Sequence, residues 1–273
     1  MSARVPATRS AGPLPMSVVM PTMRADRHLA TAVRSVLRDD VEELELVVVL
    51  DGLDPRDVDL PRDDRLRVVA LPERRGTPAA LNAGADAGTG PLIARLDADD
   101  VALPGRFEAQ RAEFTRRPGL ACLGSSVSLI DDDDAPLGAW PAATGPGLAE
   151  ALLRRNVFVH SSTMYRRAAF EAVGGYDELC ARMQDYELWL RLATTGELDS
   201  LPDVLTAYRV HPGQHSRNTP PWGAPARQVR ASRLALARHL GRPTPLQHVE
   251  NAAWSAAQAL RHTGLRRPAY LRA

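Results

Sequence analysis

The chain contains no lysine: all 34 of its basic residues are arginine, set against 33 acidic residues, for a formal net charge of +1. So even a balance produces no global field that would draw in nucleic acid or an anionic membrane, and any phosphate must be bound locally. Arginine suits local phosphate contacts, because its planar fork meets oxygens in pairs. Cysteine is almost as scarce. Cys122 and Cys180 lie far apart and match no metal-ligand spacing, so two reduced thiols in a cytosolic protein are expected and a disulfide is not. No apolar run approaches the ~20 residues that a membrane span needs. Residues 1–15 hold Pro6, Gly12, Pro13 and Pro15 but no apolar stretch, and read as a disordered leader rather than a signal peptide.

What is present is a chain of 273 residues, long enough to bury a sizeable core. Met16 to Met20 is a short apolar run ending at Pro21-Thr22, and Asp26 can cap a helix with Leu29, Val33, Val36 and Leu37 on one face. Leu44 to Leu50 is valine-rich, as suits a strand buried on both faces, and stops at Asp51-Gly52. Leu66 to Leu71 forms a third strand. Thr77 to Ala87 reads as a small-residue helix with Gly88 beyond its end, and Pro91 to Leu96 as a fourth strand. Strands alternating with helices imply a parallel sheet with right-handed crossovers.

The second half has a different texture. Leu120 to Ile130 and Ala135 to Trp140 flank Asp131-Asp132-Asp133-Asp134, which predicts a hairpin with a solvated acidic tip rather than a metal site. Val157 to Arg166 reads as a strand, followed by a short helix broken at Gly174-Gly175. Gln184 to Thr194 is a helix with a broad apolar stripe, and Val204 to Val210 closes the sheet region. Two helical segments follow, near Ala224 to Leu240 and Pro245 to His262.

The chemistry concentrates at Leu96-Asp97-Ala98-Asp99-Asp100, where an apolar strand runs into three carboxylates. The crevice outside the carboxyl ends of strands is the usual ligand site of an α/β sheet, and an Asp-x-Asp there can hold one divalent ion. The competing reading is a turn in which Asp99 or Asp100 caps a helix over Pro104 to Thr115. Three further polar elements stand at strand exits or helix starts: Pro21-Thr22, Asp51-Gly52 and Gln184-Asp185. Asp51 could serve a base or ribose, Asp97 and Asp99 a ribose and metal, and Arg74, Arg75, Gly76 and Asn82 the region between.

Together these segments resemble the inverting nucleotide-sugar glycosyltransferases of family two. The likeness rests on Ser17 to Thr22, Val48 to Gly52, Arg75-Gly76 with Leu81 to Gly84, and Leu96 to Asp100 with Leu103-Pro104. It continues through His160-Ser161-Ser162, Gly174 to Asp177, Gln184 to Arg191 and Tyr208 to Pro212. The chain also departs from the pattern. A single aspartate, Asp51, stands where members often have Asp-Asp-Gly-Ser; Met23 replaces an aromatic; and Gln184-Asp185 replaces Glu-Asp.

The resemblance implies an α/β GT-A fold: one Rossmann-like, mixed but mainly parallel sheet over 16–215, flanked by helices, with a nucleotide-sugar half (16–100), an acceptor half (101–215) and a helical extension (216–273). It implies transfer of one sugar from a nucleoside diphosphate to an acceptor hydroxyl with inversion, in polysaccharide or cell-envelope synthesis. Pro21, Thr22, Asp51, Arg75, Asn82, Asp97 and Ala98 would bind the donor, and Asp99, with His211, would hold Mg²⁺ or Mn²⁺. Asp185 would be the general base, unless it merely caps its helix. His160 would stand on the acceptor side, and His215 carries no assignment. The acceptor would be a sugar, a lipid-linked molecule or a small molecule, and nucleic acid is not expected as a partner.

The five arginines between Arg227 and Arg242, mixed with leucines, fit either a peripheral contact with the inner membrane face or a helix packing its leucines on the core. The latter is the simpler reading. Two other functions share parts of this pattern. A sugar-phosphate nucleotidyltransferase would want a glycine-rich loop after the first strand, and Pro21-Thr22-Met23-Arg24 contains no glycine. A non-catalytic nucleotide-sugar binding protein would not need both Asp99 and Asp185.

Overall fold

The computed structural model describes residues 13–211 and 222–262. The first strands are β1 (Met16–Thr22), β2 (Leu44–Asp51), β3 (Leu66–Leu71) and β4 (Leu92–Arg95), all parallel, with α1 (Arg27–Leu37) and α2 (Thr77–Ala87) between them. Their side chains explain the unbroken apolar runs. In β1, Met16, Val18 and Met20 join a core under α1, whereas Val19 points to the opposite core under α2. Leu46, Val48 and Leu50 of β2 take the first face, and Val47 and Val49 meet Ala80 of α2 on the other. A strand covered on both faces cannot alternate apolar and polar residues. Each fully buried Val or Leu contributes about 1.5–3 kcal/mol.

Local signals set the helix positions. The Asp26 carboxylate accepts from the His28 and Leu29 N–H groups, capping α1 as its sequence predicts. At Gly84, in α2, a Cβ would stand 2.5 Å from Val19 and 2.9 Å from Val49, so a bare backbone lets the small-residue helix lie close on the sheet.

The remaining elements are β5 (Val101–Ala102), α3 (Arg106–Arg116), β6 (Leu120–Ile130), β7 (Pro136–Trp140), α4 (Leu148–Leu152), β8 (Met164–Arg166), α5 (Arg167–Ala172), α6 (Gln184–Leu192), β9 (Glu197–Arg209), α7 (Ala224–His239) and α8 (Thr244–His262). The nine strands form one sheet ordered β3-β2-β1-β4-β8-β6-β9-β5, with β7 paired to β6. β8 runs antiparallel to both β4 and β6, and β9 runs parallel to β6. So β1, β2, β4, β6 and β9 all end at one edge of the sheet, and the antiparallel β8 starts there. Thr22, Asp51, the Asp97–Asp100 loop and His211 all stand at or just beyond these strand ends.

Three expectations change. Val157 to Arg166 is not one strand: only Met164–Arg166 pairs, and His160–Ser162 forms a 3₁₀ turn whose Ser162 and Thr163 N–H groups bond back to Val159 and His160. The last strand begins at Glu197, well before Val204, because β6 offers it a long parallel partner. The helix after Pro104 starts at Arg106 behind Gly105, in left-handed conformation, and neither Asp99 nor Asp100 caps it.

The extension is part of the same core. Ala226, Val229, Leu236 and Ala237 of α7, and Trp254 of α8, join the cluster built around Trp189, so α7 does pack its apolar residues inward. Arg233 follows them, donating to the Leu153 carbonyl and stacking on Trp254. Cys122 and Cys180 are buried free thiols. No helix among the described residues is long and apolar enough to cross a membrane. Residues 1–12 of the expected leader, and His215, lie outside the described residues.

Candidate active site

On the β2 side, Asp51 is 2% exposed and spends both carboxylate oxygens on backbone: Oδ1 accepts from the Arg75 N–H at 2.6 Å and Oδ2 from the Gly76 N–H at 2.9 Å. It therefore ties the loop before α2 to the end of β2. Gly52, with φ of +74°, lets Arg74 approach to where a Cβ would meet its nitrogen at 2.9 Å. Beside this junction, Gly52, Leu53, Pro55 and Pro72 line a hollow of about 420 Å³. The Arg75 guanidinium is exposed and stands 3.5 Å from Glu178, and Arg74 donates to the Met23 carbonyl. Pro21 and Thr22 end β1 opposite Val49 and Leu50. The Thr22 hydroxyl closes a local turn with Arg24, and Asn82 holds the backbone of Tyr176.

The aspartate loop is held from several sides. Asp97 is paired with Arg95 and accepts from the Ser161 hydroxyl at 2.8 Å, and its N–H donates to the same hydroxyl oxygen at 2.9 Å. Burial opposes the Asp97 charge, but Arg95, His160 and Ser161 outweigh it and hold this carboxyl below its ordinary range. Asp99 behaves oppositely. Burial and the neighbouring Asp97 charge raise its pKa, while a bond from its Oδ2 to His211 Nε2, 3.0 Å long, acts against the rise. Asp100 is 1% exposed and accepts from the Arg209 N–H at 2.7 Å; burial, with Asp99 and Asp97 nearby, pushes its pKa well up. Ala98, between them, packs partly on the core.

Across the edge, Asp185 sits in the first turn of α6. Met183, in left-handed conformation, occupies the cap position, so Asp185 is not the N-cap. Its Oδ2 accepts from Asn156 Nδ2 at 2.8 Å. Burial raises its pKa against the Tyr186 N–H and Asn156 bonds, and the Asp97 charge adds to the rise, which puts Asp185 within electrostatic reach of the aspartate loop. His160 Nε2 lies 2.8 Å from the Tyr176 hydroxyl; burial, then Arg95, push its pKa down to about 3, so its ring is neutral at pH 7.

The edge thus assembles Asp97, Asp99, His211 and Asp185 from β4, β9 and α6. Sequence reading assigned no role to Arg95, Asn156, Ser161 or Arg209, which hold these groups in place. One signal was visible: an arginine at the end of the apolar strand Leu92–Arg95, directly before Leu96 and Asp97. Asn156 carries no comparable mark.

Comparison with known proteins agrees with this architecture. The family whose model matches is Glycosyl transferase family 2, over residues 17–174. An uncharacterized glycosyltransferase of Haemophilus influenzae is 30% identical over 183 residues, 63% of this chain and 67% of that protein. The amylovoran biosynthesis glycosyltransferase AmsE of Erwinia amylovora is 30% identical over 173 residues, 63% of this chain and 64% of its own length. The crystal structure of S. aureus TarS 1-349 in complex with UDP-GlcNAc superposes with a TM-score of 0.65 at 15% identity, covering 93% of this chain and 74% of that one. The fold is GT-A, and the class of protein is a glycosyltransferase. The chain belongs to glycosyl transferase family 2, whose matched region spans the β1 to β4 strands, the aspartate loop and the Gly174 turn.

Proposed function

We propose that this glycosyltransferase moves a sugar from a nucleoside diphosphate donor to an acceptor hydroxyl with inversion at the anomeric carbon, with a divalent cation on the diphosphate. The observation that carries the reading is the aspartate loop at the end of β4, where Asp99 meets His211 at 3.0 Å and Asp97 is held by Arg95 and Ser161, together with the buried Asp185 in the first turn of α6.

The donor lies along Pro21, Thr22, Asp51, Arg75, Asn82, Asp97 and Ala98. Asp51 and Asn82, whose polar atoms are engaged with backbone, act chiefly by shaping this half. Asp185 takes the proton of the acceptor hydroxyl. The acceptor oxygen bonds to the anomeric carbon as the carbon–phosphate oxygen bond breaks, and the diphosphate leaves with the bonding electrons. A raised pKa suits a base that must accept a proton in the transition state, and such a base supplies roughly 10²–10⁴ in rate.

The donor set fits a hard cation. Among the described residues no three His, Cys, Asp or Glu side chains form a closed metal cage. Magnesium-type sites rarely use one: about one or two protein carboxylates plus substrate phosphates suffice. Asp99 and His211, already in contact, would hold the ion, which when bound neutralises charge on the leaving diphosphate. The crowding of Asp97 against Asp99 favours a positive charge there.

The amylovoran biosynthesis role in the AmsE name and the UDP-GlcNAc in the TarS complex support a saccharide acceptor and a uridine-type donor. In the extension Trp222, Val249, Arg227 and Arg238 are each exposed, a composition that supports peripheral contact with an anionic membrane from the cytoplasmic side.

The decisive experiment screens nucleoside diphosphate sugars, UDP-GlcNAc first, by thermal shift with and without Mn²⁺, and then assigns the anomeric configuration of the product by NMR. A donor that stabilises only with metal and yields the inverted product is expected. Retention of configuration, or stabilisation indifferent to metal, overturns the corresponding half of the reading.

A further inference from the structure

One buried side chain ties together the loop after β4, the end of β9 and the acidic hairpin between β6 and β7. Arg209, 1% exposed, donates from Nε to the Asp99 carbonyl at 2.8 Å, from Nη1 to the Asp131 carbonyl at 2.6 Å and from Nη2 to the Asp134 carboxylate at 2.6 Å. Its own N–H donates to Asp100 Oδ1 at 2.7 Å. Asp100 thus grips the backbone of Arg209 while Arg209 grips the backbone of Asp99. This reciprocal clamp joins the loop after β4 to the end of β9.

We propose that Arg209 is a positioning residue for sugar transfer, which makes the acidic hairpin between β6 and β7 a brace that holds Asp99 beside His211. The proposal rests on Asp99 and His211 as the cation-holding pair. His211 lies two residues beyond Arg209, and the intervening Val210 N–H is bonded to Ile130, so Arg209 constrains both members. A guanidinium fits because its planar fork donates in several fixed directions at once; a lysine ammonium at the same place would be a flexible point charge. The hairpin is itself anchored. Arg27 and His28 at the start of α1 reach Asp132 and Asp133, although the Arg27 pairs lie on the surface and add little stability. On this view the four consecutive aspartates are neither a metal site nor an idle turn: Asp134 supplies the counter-charge of Arg209.

The alternative is an arginine that merely fills the sheet end. The test uses the full chain with Arg209→Lys and Asp134→Asn; the Asp134 side chain is 65% exposed, so its change opens no cavity, and asparagine tolerates the left-handed backbone there. Hydrogen exchange is followed by mass spectrometry, and Mn²⁺ affinity by calorimetry, with Asp99→Asn as reference. In Arg209→Lys, exchange over residues 97–103 and 131–135 should rise at least ~10-fold while β1 and β2 stay protected, and Mn²⁺ affinity should fall about 10-fold. Asp134→Asn should move the same readouts in the same direction by roughly 3-fold, and decides alone if the lysine variant does not fold. The clamp is overturned if exchange at 97–103 stays at the wild-type rate, or if Mn²⁺ affinity is retained in both variants while Asp99→Asn loses it. If Asp99→Asn itself binds Mn²⁺ like wild type, the metal reading falls, and the clamp is then judged on exchange and transfer rate.

Discussion

Asn82 grips the backbone of Tyr176 with both arms of its amide, Oδ1 accepting from the Tyr176 N–H and Nδ2 donating to its carbonyl, each at 2.9 Å. The helix α2 is thereby pinned to the chain just after the Gly174-Gly175 turn. The Tyr176 hydroxyl then carries the link onward, 2.8 Å from His160 and 3.2 Å from the Tyr165 hydroxyl.

Asn82→Ala leaves a peptide N–H and a carbonyl without partners in a part-buried place, and each such group costs about 1–3 kcal/mol. The variant should lose roughly 2–4 kcal/mol of stability. Urea unfolding monitored by circular dichroism measures it, and a wild-type midpoint would show that water replaces the amide at no cost.

His160 titrates near 6.5 in an unfolded chain but near 3 in the folded protein. Between those values the unfolded chain binds the proton and the folded one does not, so the His160 contribution to stability is complete above 6.5 and is lost as pH falls towards 3. His160→Gln keeps a partner for Tyr176 without the titration. Its melting temperature should therefore fall less steeply between pH 7 and about pH 4 than that of wild type. Parallel curves from calorimetry would remove His160 from the acid response.

Asp99→Asn should abolish the metal-dependent part of donor binding, because a neutral amide is a poor oxygen ligand beside a leaving diphosphate. Calorimetric titration of UDP with and without Mn²⁺ reads this directly. Equal metal-dependent affinity in the variant would take Asp99 out of the site.

Asp185→Asn keeps size and the acceptor for Asn156 but cannot take a proton. Transfer should slow by roughly 10² or more while donor affinity changes less than about 10-fold. Product formation and donor calorimetry on one preparation decide it. Full transfer would send the search for the base elsewhere, and joint loss of binding and stability would make Asp185 structural.

Much of this molecule is legible in its sequence. Met16 to Met20 and Leu44 to Leu50 announce buried strands by continuous apolar composition, Leu66 to Leu71 announces a strand that the structure leaves only half-buried, and Asp26 announces a helix by capping chemistry, because strands and caps depend on neighbours a few residues away. The aspartate loop and Gln184-Asp185 were visible for the same reason, as unusual groups at element ends. The sequence predicts strand at His160–Ser162 because apolar and hydroxyl residues there satisfy either conformation, and the turn is selected by the antiparallel entry of β8 beside β4 and the Ser161 bonds to Asp97. What the residues around Asp97, Asp99 and Asp185 do was also beyond local reading. Ser161 meets Asp97 across 64 positions of chain, and Arg209 meets Asp99 across 110. Such pairings depend on which strands the sheet places side by side and in which direction they run. Local sequence therefore determined the elements and the reactive groups at their ends, whereas the order of strands in the sheet decided which groups meet and in which direction each carboxyl pKa is pushed.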